Sequence, residues 1–218
     1  LIFTDPDCIP ESEYWIDSLM NNFDDNCGLV LGYSHYTDNK GLLKRLVSFD
    51  NLFSAIQFMG FALSGKAFMG FSTNMAYRKD LFFKNKGFAS HLNLNSGDDD
   101  LFIGEISDKN NTRIAVNPNS IISVEKDSVW GSWKNKVKSH FATSGYYSFG
   151  TKLRLNMEIA SRCLFYPSVI TAIIVFSIYA NFLIVSVAAF LLLSRYLIQL
   201  MVINKTAVKL NENRFFAT

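Results

Sequence analysis

Leu1-Ile2-Phe3-Thr4-Asp5-Pro6-Asp7 reads as a short apolar strand that runs straight into two carboxylates. The run Leu1 to Thr4 suits a buried strand. Pro6 fixes its own φ and has no N–H for a ladder, so the chain leaves the sheet there. On a straight strand, side chains two apart point the same way about 7 Å from each other. A strand that ends instead can aim both acids into a crevice at its carboxyl end, where open α/β sheets bind ligands. One or two carboxylates with substrate phosphate oxygens make a Mg²⁺ or Mn²⁺ site. The plainer alternative for Asp5 and Asp7 is a turn with solvated acids.

Outward from that strand, helical and strand patterns alternate. Trp15 and Leu19, with Ile16, Met20 and Phe23, recur at helical spacing and predict a helix over Pro10 to Phe23. Gly28 to Tyr33 reads as a strand, and Leu42 to Leu63 as a helix whose aromatic face (Phe49, Phe53, Phe58, Phe61) suits core packing before a lipid- or acceptor-facing surface. Phe68 to Tyr77 is a glycine-punctuated loop or strand, and Arg78 to Phe83 starts a short helix. Leu101 to Ile106 predicts a helix, followed by strands at Arg113 to Asn117 and Ile121 to Val124. The alternation points to an α/β layer fold.

The second acidic feature is Gly97-Asp98-Asp99-Asp100-Leu101. Adjacent carboxylates raise one another's pKa, so the cluster calls for a cation, a basic partner or a proton to carry. A helix N-terminus explains one or two such acids as cap and dipole partners, but not obviously three. A carboxylate beside two others can accept a proton in a reaction. Alternatively, the trio with Asp5 and Asp7 can form a two-metal phosphotransferase or nuclease site.

Composition narrows the field. A net charge of only +2 gives no basic field for nucleic acid. Cys8, Cys27 and Cys163 are far apart without a CxxC, which favours free thiols over a disulfide framework or zinc site. Apolar residues make up 49% of the chain, and they are unevenly spread. Trp130 to Phe149 is basic and aromatic, as membrane-surface segments are. Leu164 to Ser194 then carries no charge, a run longer than a hydrocarbon core of roughly 30 Å requires. It fits one tilted span or a hairpin turning near Asn181. Basic residues flank both ends (Lys152, Arg154, Arg162; Arg195, Lys205, Lys209), which favours the hairpin with both ends cytoplasmic.

Four segments in order resemble the membrane-associated family 2 glycosyltransferases, relatives of cellulose, chitin and hyaluronan synthases. They are Thr4-Asp5-Pro6-Asp7-Cys8, Phe68-Met69-Gly70-Phe71-Ser72-Thr73-Asn74-Met75-Ala76-Tyr77-Arg78-Lys79, Gly97-Asp98-Asp99-Asp100-Leu101-Phe102, and a Trp/Lys/His stretch before the hydrophobic tail. The likeness covers the chain from Leu1 to roughly Arg195.

The resemblance implies the C-terminal part of a GT-A fold, followed by interfacial and transmembrane helices. It implies inverting transfer from a nucleotide-diphosphate sugar to a glycan or lipid-linked acceptor at the cell membrane, on its cytoplasmic face. Asp5 and Asp7 match the acids that hold the divalent cation and the donor diphosphate. Asp99 matches the general base, with Asp98 and Asp100 tuning or orienting it. Gly70 and Asn74 match the loop bordering the donor and acceptor pocket. The family's Q-x-x-R-W-like motif has only a partial counterpart in Asn135-Lys136-Val137-Lys138-Ser139-His140. Lys136, Lys138 and His140 are therefore secondary site candidates, and processive synthesis is not implied.

The expected organisation is a partial catalytic domain over 1–128, an amphipathic segment over 129–163, a transmembrane segment over 164–203 and a polar tail over 204–218. An N-terminal half carrying the nucleotide-base pocket is expected to precede residue 1. A membrane-attached scaffold without catalysis stays open beside the enzyme readings.

Overall fold

The computed structural model describes residues 1–37, 41–89, 100–125 and 129–215. The chain divides into two units. The first holds Leu1–Tyr147 with Thr206–Asn213, and the second holds Ser148–Lys205 with Arg214 and Phe215.

The first unit is mixed α/β. Its strands are β1 (Ile2–Phe3), β2 (Cys8–Pro10), β3 (Leu29–Leu31), β4 (Ser34–Tyr36), β5 (Met75–Tyr77), β6 (Thr112–Ile114) and β7 (Ile122–Val124). One sheet has the order β1-β5-β3-β6 and the other β2-β7-β4. β5 runs antiparallel to both β1 and β3, with Ala76 opposite Ile2 and Val30, while β3 is parallel to β6. β7 pairs antiparallel with β2 and parallel with β4. The predicted helix at Pro10 is shorter than its periodicity suggests. Cys8 to Pro10 joins the second sheet as an outer strand, where a proline is tolerated, and α1 spans only Trp15–Met20.

The first sheet is buried on both faces. Val30 and Ala76 pack with Trp15 and Leu19 of α1, Cys27, Ala115 and Ile122. Tyr77 stacks on Phe3 at 4.6 Å between ring centres and meets Phe102 at 5.4 Å. Phe102 belongs to α4 (Leu101–Ile106), and α3 (Lys79–Lys84) contributes Phe82 to the same aromatic group. Such ring pairs add about 0.5–1.5 kcal/mol each beyond the area they bury.

Helix α2 (Leu42–Leu63) matches the periodicity read from the sequence. It buries Val47, Asn51, Leu52, Ala55, Phe58, Met59 and Ala62 and leaves Leu42, Leu43, Leu46 and Leu63 exposed. Helix α5 (Val129–Thr143) completes the unit.

The second unit is a helical hairpin. α6 (Phe149–Ile178) begins where Ser148 Oγ accepts from the Thr151 amide, and α7 (Phe182–Lys209) follows a turn in which Ala180 has φ 53°. The turn lies at Asn181. Tyr166 Oη donates to Gln199 Oε1 at 2.8 Å, and the Arg195 guanidinium sits 4.3 Å from the centre of the Phe165 ring. These pairs fit two antiparallel helices. With 30 and 28 residues, the helices run about 45 and 42 Å.

By length and composition three helices, α2, α6 and α7, can cross a membrane. Their surroundings separate them. α2 buries 44% of its most apolar window, against 0% for α6 and 6% for α7. Apolar windows left out of the core suit lipid, which favours the charge-free second half of α6 and α7 as the membrane-associated segments, while α2 packs as a core helix with an open apolar edge.

The C-terminal stretch departs from a loose polar tail. α7 continues to Lys209, Ala207 and Leu210 are fully buried, and Glu212 is buried in the first unit.

Candidate functional site

Asp5 lies just past the end of β1. The Cys8 amide donates to the Asp5 carbonyl at 3.1 Å, closing a turn over Pro6 and Asp7 that carries the chain from the first sheet into the second. The strand thus ends at its acids, as Pro6 requires.

Asp5 lines an open cavity of about 330 Å³. Ser34 and Tyr36 of β4, Asn51 of α2, Phe71 to Thr73 of the following loop, Val124, and Ser132, Asn135 and Lys136 of α5 form the rest of its wall. The lining is one carboxylate, one ammonium and a set of hydroxyls and amides over an aromatic ring. Such a surface suits a polar, hydroxyl-rich ligand bearing charge at one end.

Asp7 is half-buried and is not part of this wall. Its Oδ1 accepts a weak bond from the Cys8 thiol at 3.7 Å. It still acts on the cavity electrically: burial first, then the charges of Asp50 and Asp7, push the Tyr36 phenol up. Burial also raises the Cys8 thiol, against the hydrogen bonds at Asp5 and Thr4 and with the help of both carboxylates.

Helix α5 supplies the basic groups. Trp133, Lys136, His140 and Thr143 recur at helical spacing on its inner face, and Tyr147 extends the row. Trp133 Nε1 donates to Asp50 Oδ2 at 2.8 Å. Lys136 Nζ donates to Asn51 Oδ1 at 3.2 Å and sits 3.7 Å above the centre of the Phe71 ring. One turn on, His140 Nδ1 lies 3.6 Å from Asp100 Oδ2. Lys138 faces outward and is exposed, so the structure does not bring it to this row.

Asp100 is wholly buried as the N-cap of α4. Its Oδ1 accepts from the Leu101 amide at 2.6 Å. Its Oδ2 accepts from the Thr143 hydroxyl and from Tyr147 Oη, the latter at 2.9 Å. Burial alone would raise its pKa, but the nearby His140 imidazole and the bonds from Thr143, Tyr147 and Leu101 outweigh it and hold the carboxyl below the usual range. An acid held this way stays ionised and anchors; it is a poor proton acceptor. Asp98 and Asp99 lie outside the described residues. Thr143 and Tyr147 were not singled out from sequence, although their spacing of three and seven from His140 is the signal that finds them.

Gly70 and Asn74 shape the neighbouring loop without lining the cavity. A Cβ at Gly70 would lie 2.7 Å from Leu31 Cδ2, so glycine lets the loop cross β3 and deliver Phe71, Ser72 and Thr73. Asn74 is fully buried. Its Nδ2 donates to the carbonyls of Tyr33 (2.6 Å) and Ser120 (2.8 Å), and its Oδ1 accepts from Trp15 Nε1 (3.1 Å). Replacing Asn74 with Ala orphans the Ser120 carbonyl and the Trp15 indole N–H and leaves the Tyr33 carbonyl only the Ile122 amide at 3.2 Å, and should cost about 2–4 kcal/mol in a denaturant melt.

Among the described residues no group of three or more His, Cys, Asp or Glu side chains could hold a metal ion. A cation held by Asp5 and ligand phosphates needs no such cage, and the single carboxylate lining the cavity among the described residues fits that arrangement. Comparison of the chain with protein-family models, curated proteins and solved structures returns no match.

Proposed function

We propose that the chain is a membrane-associated inverting glycosyltransferase that moves a sugar from a nucleotide-diphosphate donor to a glycan or lipid-linked acceptor, with its first unit on a GT-A plan. The observation that carries this reading is the inner face of α5. It reaches the cavity lined by Asp5 through Lys136, and reaches the last acid of the Asp98–Asp100 run through His140 and Thr143.

The roles follow from chemistry. The donor diphosphate enters at Asp5, with Asp7 close by, and Lys136 offsets part of its charge. Asp100 is the anchored member of the trio. Asp99, its direct neighbour in the chain, takes the proton of an acceptor hydroxyl as that oxygen bonds to the anomeric carbon. The bond from that carbon to the diphosphate oxygen breaks, and the nucleoside diphosphate leaves with the electron pair. Mg²⁺ or Mn²⁺, held by Asp5 and the donor phosphates, would neutralise the leaving group when bound, with Asp7 adding negative charge from outside the cavity wall. The rest is positioning.

Membrane placement supports an acceptor at or in the lipid. The exposed side of α5 carries Trp130, Lys134, Val137, Lys138 and Phe141, an aromatic and cationic set suited to headgroup level. The basic residues flanking the hairpin favour a cytoplasmic catalytic face, and the cell membrane is the membrane this reading assigns. The protein should stay in the membrane pellet through alkaline carbonate and leave it only with detergent. Release by carbonate alone would contradict insertion of α6 and α7.

The direct test is a screen of nucleotide sugars for donor hydrolysis and transfer on the full-length protein in membranes. Consumption of a sugar nucleotide with divalent cation supports the reading. Cleavage of nucleotides or nucleic acid with no sugar nucleotide consumed would replace it with phosphoryl transfer.

A further inference from the structure

We propose that Glu212, on the segment after α7, is a positioning residue for the cavity, holding the Lys136 ammonium in place through Tyr33 and Asn51. Lys136 Nζ donates to Asn51 Oδ1 at 3.2 Å, Asn51 Nδ2 donates to Tyr33 Oη at 3.4 Å, and Tyr33 Oη donates to Glu212 Oε1 at 2.8 Å. The amide orientation is fixed independently, because Asn51 Nδ2 also donates to the Ser34 carbonyl at 2.8 Å, which can only accept. Every donor in the row points toward Glu212. The chain therefore runs from a cation on the cavity wall to a buried anion, and each bond polarises the next.

Burial makes this more than a surface tether. Tyr33, Asn51 and Glu212 are all buried. Burial, and then the charge of Glu212, pushes the Tyr33 phenol well above its usual range, so the phenol stays a donor. Burying a carboxylate is costly unless its partners are strong. A segment that only needed fastening already has Ala207 and Leu210 fully buried, and Asn211 Nδ2 donating to Glu11 Oε2 at 2.9 Å. Glu212 adds a connection to Lys136, the one cation lining the cavity among the described residues. The segment following the membrane hairpin thereby sets the position of a cavity charge, Lys136, that lies on a helix preceding the hairpin in the chain. The functional consequence rests on the reading of that cavity as the donor diphosphate site.

The test uses the full chain in detergent, without any sugar nucleotide. Trace acetylation with acetic anhydride is quantified at Lys136 by mass spectrometry, with the exposed Lys134 and Lys138 as internal standards. Tyr33→Phe should raise labelling of Lys136 about fivefold relative to the standards, the weight of one hydrogen bond. Glu212→Gln keeps the shape and the accepting oxygen, and should give a smaller rise in the same direction. In an Asn51→Ala background Tyr33→Phe should add nothing, because the relay is already cut. Unchanged Lys136 labelling in Tyr33→Phe, or in Glu212→Gln if Tyr33→Phe does not fold, overturns the relay. Donor kinetics form the second arm: KM should rise more than kcat falls. Changed labelling with unchanged KM overturns the positioning role, whereas changed labelling in a protein that consumes no sugar nucleotide sinks the glycosyltransferase reading and leaves the relay standing.

Discussion

Asp99→Asn should lower sugar transfer by roughly 10²- to 10⁴-fold, the usual weight of a general base, with donor affinity nearly unchanged. Asparagine keeps the size of the side chain and removes the proton-accepting charge, so the loss should fall on kcat. Asp5→Asn should act on the other side of the reaction. It removes the one carboxylate that lines the cavity among the described residues, so donor KM should rise and added Mg²⁺ or Mn²⁺ should rescue it poorly. Steady-state kinetics with varied donor and varied metal separate the two patterns. Unchanged turnover in Asp99→Asn would remove the base assignment.

The second large effect is structural. Asp100→Ala should destabilise the first unit by about 3 kcal/mol, because it removes a buried, charged acceptor from the Tyr147 hydroxyl and the Leu101 amide and leaves the Thr143 hydroxyl only the Ser139 and His140 carbonyls of its own helix. In a thermal melt this corresponds to a fall of roughly 6–12 °C. Asp100 also gives a pH signature. Its folded pKa is depressed below the ordinary carboxylate value, so its stabilisation is present above that value, near 3.9, and is lost as pH falls through the folded value. The acid limb of stability should therefore be steeper in the wild type than in Asp100→Asn. Coincident acid limbs would show that this carboxylate is not held as described.

Parts of this architecture were legible in the sequence because they are periodic or extreme. The run Leu42 to Leu63 carries its helical repeat in full, and α4 keeps its bounds of Leu101–Ile106. The charge-free run fits one tilted span or a hairpin near Asn181, the basic residues at both ends favour the hairpin, and α6 and α7 part at that point. Pro6 marked the end of β1. Other parts lacked any local signal. β2 and β4 have three residues each, too few for alternation to show, and Pro10 hides one of them. Lys136 and Lys138 look equivalent in sequence, and only the facing of α5 sends one inward and the other out. Tyr33 and Glu212 are separated by 179 positions. A non-local hydrogen bond of that kind has no spacing rule to read.

In the proposed enzyme the opening aspartates and the later acidic run serve one bound diphosphate. Fe²⁺ with ascorbate, substituted for the native cation in the presence of a nucleoside diphosphate, cuts backbone near the metal by locally made hydroxyl radicals. Cleavage at both 5–7 and 98–100, suppressed together by excess Mn²⁺, is the predicted result. Cleavage at one cluster with the other untouched would contradict a shared site.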